Sequence, residues 1–108
     1  KGIRWQKPVF VLTNRSVFSA ANEFVKYMRC FPNVKTVGDR TGGGAGLPFS
    51  AELPNGWSIR FSACPMYDKN KQMTEFGIDP DYKISLTSED FQRGKDTIIE
   101  FARHLIYK

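Results

Sequence analysis

Val9-Phe10-Val11-Leu12 runs into the polar turn Thr13-Asn14-Arg15-Ser16, and Phe18-Ser19-Ala20-Ala21-Asn22-Glu23-Phe24 then leads on to Phe31. Four apolar residues, a break and a change of hydrophobic period predict a strand, a sharp turn and a helix, with Ser19 at the helix start. Ala20, Phe24, Met28 and Phe31 form one stripe, with Ala21 and Val25 beside it, so the helix is expected to bury that face. Small Ala20 and Ala21 would let the helix start come close to its neighbour. Lys26 and Arg29 suit the negative C-terminal end of the helix dipole, and Phe31-Pro32-Asn33 stops the helix. A serine at a helix start has two roles open to it. Its hydroxyl can cap the first turn by accepting an amide hydrogen, which is its commoner use. It can also act as a nucleophile, because free amides and the positive dipole end there favour developing negative charge.

Outward from this stretch, Pro8 stands before the strand, where its missing N–H does least harm. Val34 to Val37 alternates and reads as the second strand of a βαβ unit, which predicts a parallel pair with a right-handed crossover. Gly38-Asp39-Arg40-Thr41 leaves that strand and Gly42-Gly43-Gly44-Ala45-Gly46 follows. Such a run either lets a substrate backbone approach or forms a flexible loop, and the local sequence favours the loop. No Gly-Lys-Ser/Thr or helix start follows, which excludes a phosphate loop. Pro48 to Leu53, the turn Pro54-Asn55-Gly56, and Trp57 to Ala63 read as a β-hairpin. Trp57, Ile59 and Phe61 alternate with Ser58, Arg60 and Ser62, so one hairpin face is expected to be buried.

Tyr67 to Met73 is polar and reads as a surface loop. Gly77-Ile78-Asp79-Pro80-Asp81 is turn chemistry, with Asp79 and Asp81 expected to bond the turn's own backbone. Tyr82 to Leu86 is a short strand. Thr87-Ser88-Glu89-Asp90 opens a helix, Gly94 breaks it, and Asp96 caps a last helix. Ile98, Ile99, Ala102, Leu105 and Ile106 form the apolar face of that helix, with His104 on its solvated side.

The 108 residues suit one domain, and 41% hydrophobic content allows a modest core. A net charge of +5 comes from scattered residues with no basic block, which describes a solvated surface and no nucleic-acid partner. Cys30 and Cys64 lie far apart and fit either one disulfide or two buried thiols. One histidine and two cysteines without ligand spacing argue against a metal, and no motif calls for a cofactor. No apolar run reaches the length of a membrane span, and Lys1 to Trp5 has no signal-peptide core.

Several of these segments, in order, resemble the C-terminal processing peptidases, or tail-specific proteases. Phe18 to Phe24 resembles their nucleophile segment, small-Ser-Ala-Ser/Ala-Glu before an apolar helix. Val37 to Gly43 is similar to their Gly-Glu-x-Thr-x-Gly turn, and Leu53-Pro54-Asn55-Gly56 to their Leu-Pro-Asp/Asn-Gly hairpin. Gly77 to Asp81 matches their Gly-Ile/Val-x-Pro-Asp signature, and Gly94 to Ile98 the opening of their last helix. Two departures stand out. Asn22 occupies the position of the family's glutamate, with Glu23 next to it. Gly44 aligns with the lysine general base of the commonest branch, and no lysine lies between Lys35 and Lys69. The lysine-free turn resembles the tricorn-core and retinoid-binding-protein-like branch. In tricorn-like enzymes a histidine upstream of the serine is the base and a late acidic residue supports the site.

The resemblance implies an α/β fold: the C-terminal part of a Clp-protease/crotonase-like peptidase domain, with residues 1–108 as that portion and its N-terminal part absent. It implies a serine endopeptidase acting through an acyl-enzyme on Ser19. Ala20 would supply an oxyanion amide and Glu75 the supporting carboxylate, so the candidate catalytic residues are Ser19, Ala20 and Glu75. Gly42, Gly43 and Gly44 would flank the substrate. The implied partners are a peptide or protein substrate and the missing half of the domain, whose absence would expose a sheet edge and apolar surface and invite self-association. Family habit implies an extracytoplasmic location. Two rival readings stand beside this one: a non-catalytic module binding a peptide or apolar ligand on the same fold, and a basic interaction domain in which Ser19 is only a cap.

Overall fold

The first strand, β1 (Val9–Thr13), and the second, β2 (Val34–Gly38), lie parallel, in register from Val9 opposite Val34 to Thr13 opposite Gly38. Between them runs helix α1 (Ala20–Met28), which completes the βαβ unit expected from the sequence. The architecture is that of a computed structural model that describes residues 2–108. A two-residue strand, β5 (Tyr82–Lys83), pairs parallel with the far side of β2, giving the sheet order β1-β2-β5. It is shorter than the run Tyr82 to Leu86 expected from the sequence. The ladder continues only as far as the Ile84 amide, which donates to the Gly38 carbonyl at 3.0 Å.

Strands β3 (Pro48–Glu52) and β4 (Ser58–Ser62) form a separate antiparallel hairpin, with Pro48 opposite Ser62 and Glu52 opposite Ser58. Its turn closes at Asn55-Gly56 as read, the Trp57 amide donating to Asn55 Oδ1 at 3.1 Å. Two helices end the chain: α2 (Ser88–Gln92) and α3 (Thr97–Ile106). Both starts are capped, the second by Asp96 as expected. Thr87 accepts from the Asp90 amide, and Asp96 accepts from the Ile98 and Ile99 amides. Helix α3 packs on β1 and β2, burying Ile98 and Ala102, while the Phe101 ring sits 5.9 Å from that of Tyr82. Ile99 and Ile106, expected on the buried face, are exposed. His104 is exposed as read.

The core is small. It consists of Val25, Val34, Val37, Ala45, Ile78, Ile98 and Ala102, and the largest fully buried side chains are Val37, Asn22, Thr36 and Thr74. Three of those four are polar, so hydrogen bonds rather than apolar bulk must hold the centre together. The Cα radius of gyration is 17.3 Å, against about 13 Å for a compact domain of this length.

Three expectations about burial are corrected. The α1 stripe is not the buried face: Phe24 and Phe31 are each 55% exposed, and α1 instead buries Asn22, Val25 and Lys26. The helix turns its mixed face inward because Asn22 and Lys26 find polar partners there. Lys26 pairs with Glu23 one turn back. The hairpin buries neither face, since Trp57, Ile59 and Phe61 are all exposed. It touches little but itself, and the Phe49 and Phe61 rings, 5.6 Å apart, cover one another in part. Cys30 and Cys64 are both free and exposed, neither disulfide-bonded nor buried. The outer edges of β1 and β5 carry no further strand among the described residues.

Candidate active site

Ser19 occupies the helix-start position of α1 but does not cap it. Its side chain makes no hydrogen bond to the first turn, and its backbone stands at φ 57, ψ −121. A serine pays about 1–3 kcal/mol of strain for a conformation of this kind. Two backbone bonds hold it there. The Ser19 amide donates to the Gly43 carbonyl at 2.8 Å, and the Ser19 carbonyl accepts from the Glu23 amide at 3.0 Å. The hydroxyl is thus turned out of the helix and into a cleft. A sharp, strained strand-to-helix turn that exposes a serine hydroxyl is the geometry of a nucleophile elbow.

The cleft holds about 400 Å³ and is lined by Phe18, Ser19, Gly42, Gly44, Pro48, Arg60, Phe61, Ser62 and Glu75. It brings Ser19 and Glu75 together from positions 56 apart in the chain. Glu75 Oε1 accepts from the Ser62 hydroxyl at 2.7 Å, which anchors it to the end of β4. Its other oxygen, Oε2, is buried without a hydrogen-bond partner among the described residues.

The glycine run is a packed wall. Gly43, Ala45 and Gly46 are buried, which corrects the flexible-loop reading. The Gly42 amide donates to Val17, and the Gly44 amide to the carbonyl of Glu75, at 2.8 and 2.9 Å. A Cβ on Gly43 would lie 2.0 Å from the Glu75 carbonyl oxygen, and the residue stands at φ 77. Of the three glycines expected at the substrate, Gly42 and Gly44 line the cleft, and Gly43 lies behind them, bonded to Ser19. At Gly44, φ is again 77 and a Cβ would lie 2.4 Å from the Phe18 ring. A lysine there would be strained and would displace that ring.

The amides of Ser19, Gly42 and Gly44 are all occupied. The Ala20 amide, at the first position of α1, has no acceptor among the described residues. It is a free donor in the residue directly after Ser19, at the positive end of the helix.

Behind the site lies a polar clamp that the sequence did not reveal. Asn22 is 0% exposed. Its Nδ2 donates to the Thr74 carbonyl at 3.1 Å, and its Oδ1 accepts from the Thr41 hydroxyl at 2.6 Å. The Thr41 hydroxyl in turn accepts from the Ile78 amide at 2.7 Å. One side chain thus ties the first turn of α1 to the head of the glycine wall and to the residue before Glu75. A glutamate at this position accepts but does not donate when ionised, so the departure at Asn22 fits the carbonyl it meets. Glu23 turns away to Lys26.

The turn at Gly77 to Asp81 is braced to β2 and α1 rather than to itself. Asp81 accepts from the Thr36 amide and hydroxyl at 2.8 and 3.0 Å, and pairs with Arg29 at 3.7 Å. Burial pushes its pKa up. The Thr36 bonds and the charges of Arg29 and Lys35 outweigh that, and hold it below the usual carboxylate value. Asp79 pairs with Arg40 at 3.5 Å. Both findings correct the expectation that these aspartates bond the turn's own backbone.

With this geometry in view, the chain's relationships become interpretable. Residues 1–84 match peptidase family S41. The chain belongs to that family. Among solved structures, this S41 chain is similar to one from Parabacteroides merdae, provisionally described as a peptidase. The two are 63% identical with a TM-score of 0.93, over 97% of this chain and 33% of that one. The tricorn protease shares the fold, with a TM-score of 0.76 at 22% identity, over 92% of this chain and 10% of that one. An uncharacterised protein of Chlamydia muridarum is 26% identical over 96% of this chain. This S41 chain spans only 18% of the length of that curated relative. The α/β fold expected from the sequence is the S41 fold.

Proposed function

We propose that this chain carries the nucleophile and one wall of a serine peptidase site of the lysine-free kind, cleaving peptide bonds in the intact protein through an acyl-enzyme on Ser19. The observation that carries this reading is the backbone of Ser19, held at a strained positive φ with its hydroxyl uncapped and open to a cleft. A structural cap has no use for that strain. In the reaction, Ser19 Oγ attacks the scissile carbonyl and gives up its proton to a base. The developing oxyanion lies toward the Ala20 amide, the amine leaves with the proton, and water then hydrolyses the ester.

The base is the part this chain does not offer. The single histidine, His104, is exposed on α3 and does not line the cleft. No lysine lines the cleft either, and Gly44 has no room for one without displacing Phe18. We assign the base to a histidine elsewhere in the full-length protein, as in the tricorn-like branch. Glu75 is the carboxylate that lines the cleft, and we assign it as the acceptor for an N–H of that imidazole. Glu75 is then a positioning residue.

The test is labelling of the intact protein with a fluorophosphonate. Ser19 should be modified, and Ser19→Ala should abolish labelling and lower peptide turnover at least about ten-thousand-fold. Glu75→Gln should reduce turnover at least about tenfold with the melting temperature nearly unchanged. Labelling at Ser16 instead, or full turnover by Ser19→Ala, overturns the assignment. Loss of activity in a folded His104→Ala protein overturns the placing of the base.

A further inference from the structure

The hairpin β3–β4 has two chemically distinct faces. Pro48, Ser50 and Glu52 stand opposite Ser62, Arg60 and Ser58 on one face, while Phe49 and Ala51 stand opposite Phe61 and Ile59 on the other. Successive side chains along a strand point to opposite faces, so Arg60 shares its face with Ser62. Ser62 points into the cleft, because its hydroxyl bonds Glu75. Arg60 lines the same cleft.

Two charged residues line that cleft, Arg60 and Glu75. Glu75 is held by Ser62, whereas Arg60 takes part in no ion pair among the described residues. Its cross-strand neighbour is the neutral Ser50. Four arginines pair with carboxylates of this chain, Arg29 with Asp81, Arg40 with Asp79, Arg93 with Glu89 and Arg103 with Glu100; among the described residues Arg4, Arg15 and Arg60 do not, and of these three Arg60 lines the cleft. Arg60 is a guanidinium at the mouth of a cleft with its fork of donors unspent.

We infer that Arg60 is a specificity residue that binds a carboxylate of the substrate. The inference rests on the peptidase reading above and adds to it a class of substrate, namely peptides bearing an acidic group near the cleaved bond. A guanidinium recognises a carboxylate through two parallel N–H···O bonds, and neither water nor an amide replaces that pair fully. Arg60 lies two residues along β4 from Ser62, about 7 Å in a pleated strand. The acidic group therefore docks about two residues of extended substrate away from Glu75, far enough to escape most of the repulsion from that carboxylate. Phe18 and Pro48 supply apolar surface in the same cleft, against which an uncharged side chain can lie. The acidic group can be an Asp or Glu side chain or a free C-terminus. Both present the same oxygens.

The experiment uses the intact protein and a set of quenched fluorescent peptides. An acidic residue is moved stepwise along an otherwise constant sequence, each peptide is paired with its Asn or Gln counterpart, and each is made with a free and an amidated C-terminus. The acidic member of one pair should have the higher kcat/KM by roughly five- to tenfold, the range of a partly desolvated charge pair. Preference confined to the free C-terminus identifies that carboxylate as the ligand instead, and preference in the internal pairs identifies a side chain. Arg60→Gln should erase the preference, mainly through KM, and Arg60→Lys should retain part of it. Arg60→Glu should shift preference to a lysine at the same position. Fluorophosphonate labelling of Ser19 is measured in each variant. Arg60 has no ion-pair partner among the described residues to lose, so labelling should persist. Persistent labelling with no acidic preference in the unsubstituted protein overturns the role of Arg60. Absence of labelling in the unsubstituted protein overturns the peptidase reading instead.

Discussion

The turn that carries Ser19 and the β3–β4 hairpin border one cleft, yet they are built in opposite ways. Around Ser19 almost every polar group is committed across long stretches of chain: Ser19 to Gly43, Gly44 to Glu75, Asn22 to both Thr41 and Thr74. The hairpin's ladder bonds only to itself. It joins the rest through the Ser62–Glu75 bond and through the Ala63 and Cys64 amides, both held by the Gly46 carbonyl at 2.9 Å. A site made this way separates its two requirements. The reacting atoms need fixed positions, which the cross-linked turn gives them. Substrate choice needs only a wall of the right chemistry, which a strand pair tethered at one end can supply.

That contrast can be broken by substitution. The largest effect is expected where strain and function coincide. Ser19→Gly removes the nucleophile and should abolish turnover, yet it should raise stability by roughly 1 kcal/mol, since glycine adopts this backbone freely at some entropic cost. A marked fall in melting temperature would mean that the Ser19 side chain supports the fold after all. Next come two glycines with similar backbone angles and different surroundings. Gly43 stands at φ 77 against the Glu75 carbonyl, and Gly56 stands at φ 83 in the hairpin turn with nothing within 4 Å of an added Cβ. Gly43→Ala should cost at least about 3 kcal/mol by chemical denaturation, and Gly56→Ala about 1 kcal/mol. Equal costs would erase the distinction between the two regions.

Asn22→Ala should cost roughly 2–3 kcal/mol, because it leaves the buried Thr41 hydroxyl without its acceptor. Asn22→Asp should not restore stability near neutral pH, as it cannot donate to the Thr74 carbonyl. Recovery by the aspartate would show that the clamp does not depend on that donor. The smallest effect concerns Asp81, whose folded pKa lies below its ordinary value. Its contribution is present above the unfolded pKa of about 4 and is lost as pH falls through the lower folded value. Asp81→Asn should therefore cost about 1 kcal/mol at pH 7, with the two denaturation curves converging in acid. A difference independent of pH would assign the cost to shape rather than charge.

Much of this fold was legible in the chain. The change of period at Thr13, the Asn55-Gly56 turn, the helix start at Thr87, the cap at Asp96 and the break at Gly94 are local signals with local causes, and each marks an element end. What periodicity cannot reveal is the covering of a face. Ala20, Phe24, Met28 and Phe31 do share a stripe, but the helix turned Asn22 and Lys26 inward because their partners, distant or one turn away, satisfied them there. The site was legible in part for the same reason. Ser19 was singled out by a family motif and Glu75 by the late acidic residue that the tricorn-like resemblance implies, and both line one cleft; the clamp joins positions 22, 41 and 74, and no spacing along the chain announces it. The left-handed backbone of Ser19 had no signature of its own, since only the Gly43 carbonyl, 24 residues on, holds it there. Arg60 was read as the polar half of an alternation, and its place in the cleft without an ion pair follows from the fold rather than from its spacing.

The hairpin's alternation carries one more consequence. A single inserted residue between Gly56 and Ser58 would slide β4 by one step against β3 and exchange its two faces. Phe61 and Ile59 would then look toward Ser19, and Arg60 would look away. The exchange would break the Ser62–Glu75 bond, the side-chain tie of β4 to the site, while the ladder itself runs only between the two strands. On the role proposed for Arg60, such an insertion should exchange a preference for acidic peptides for one for apolar peptides.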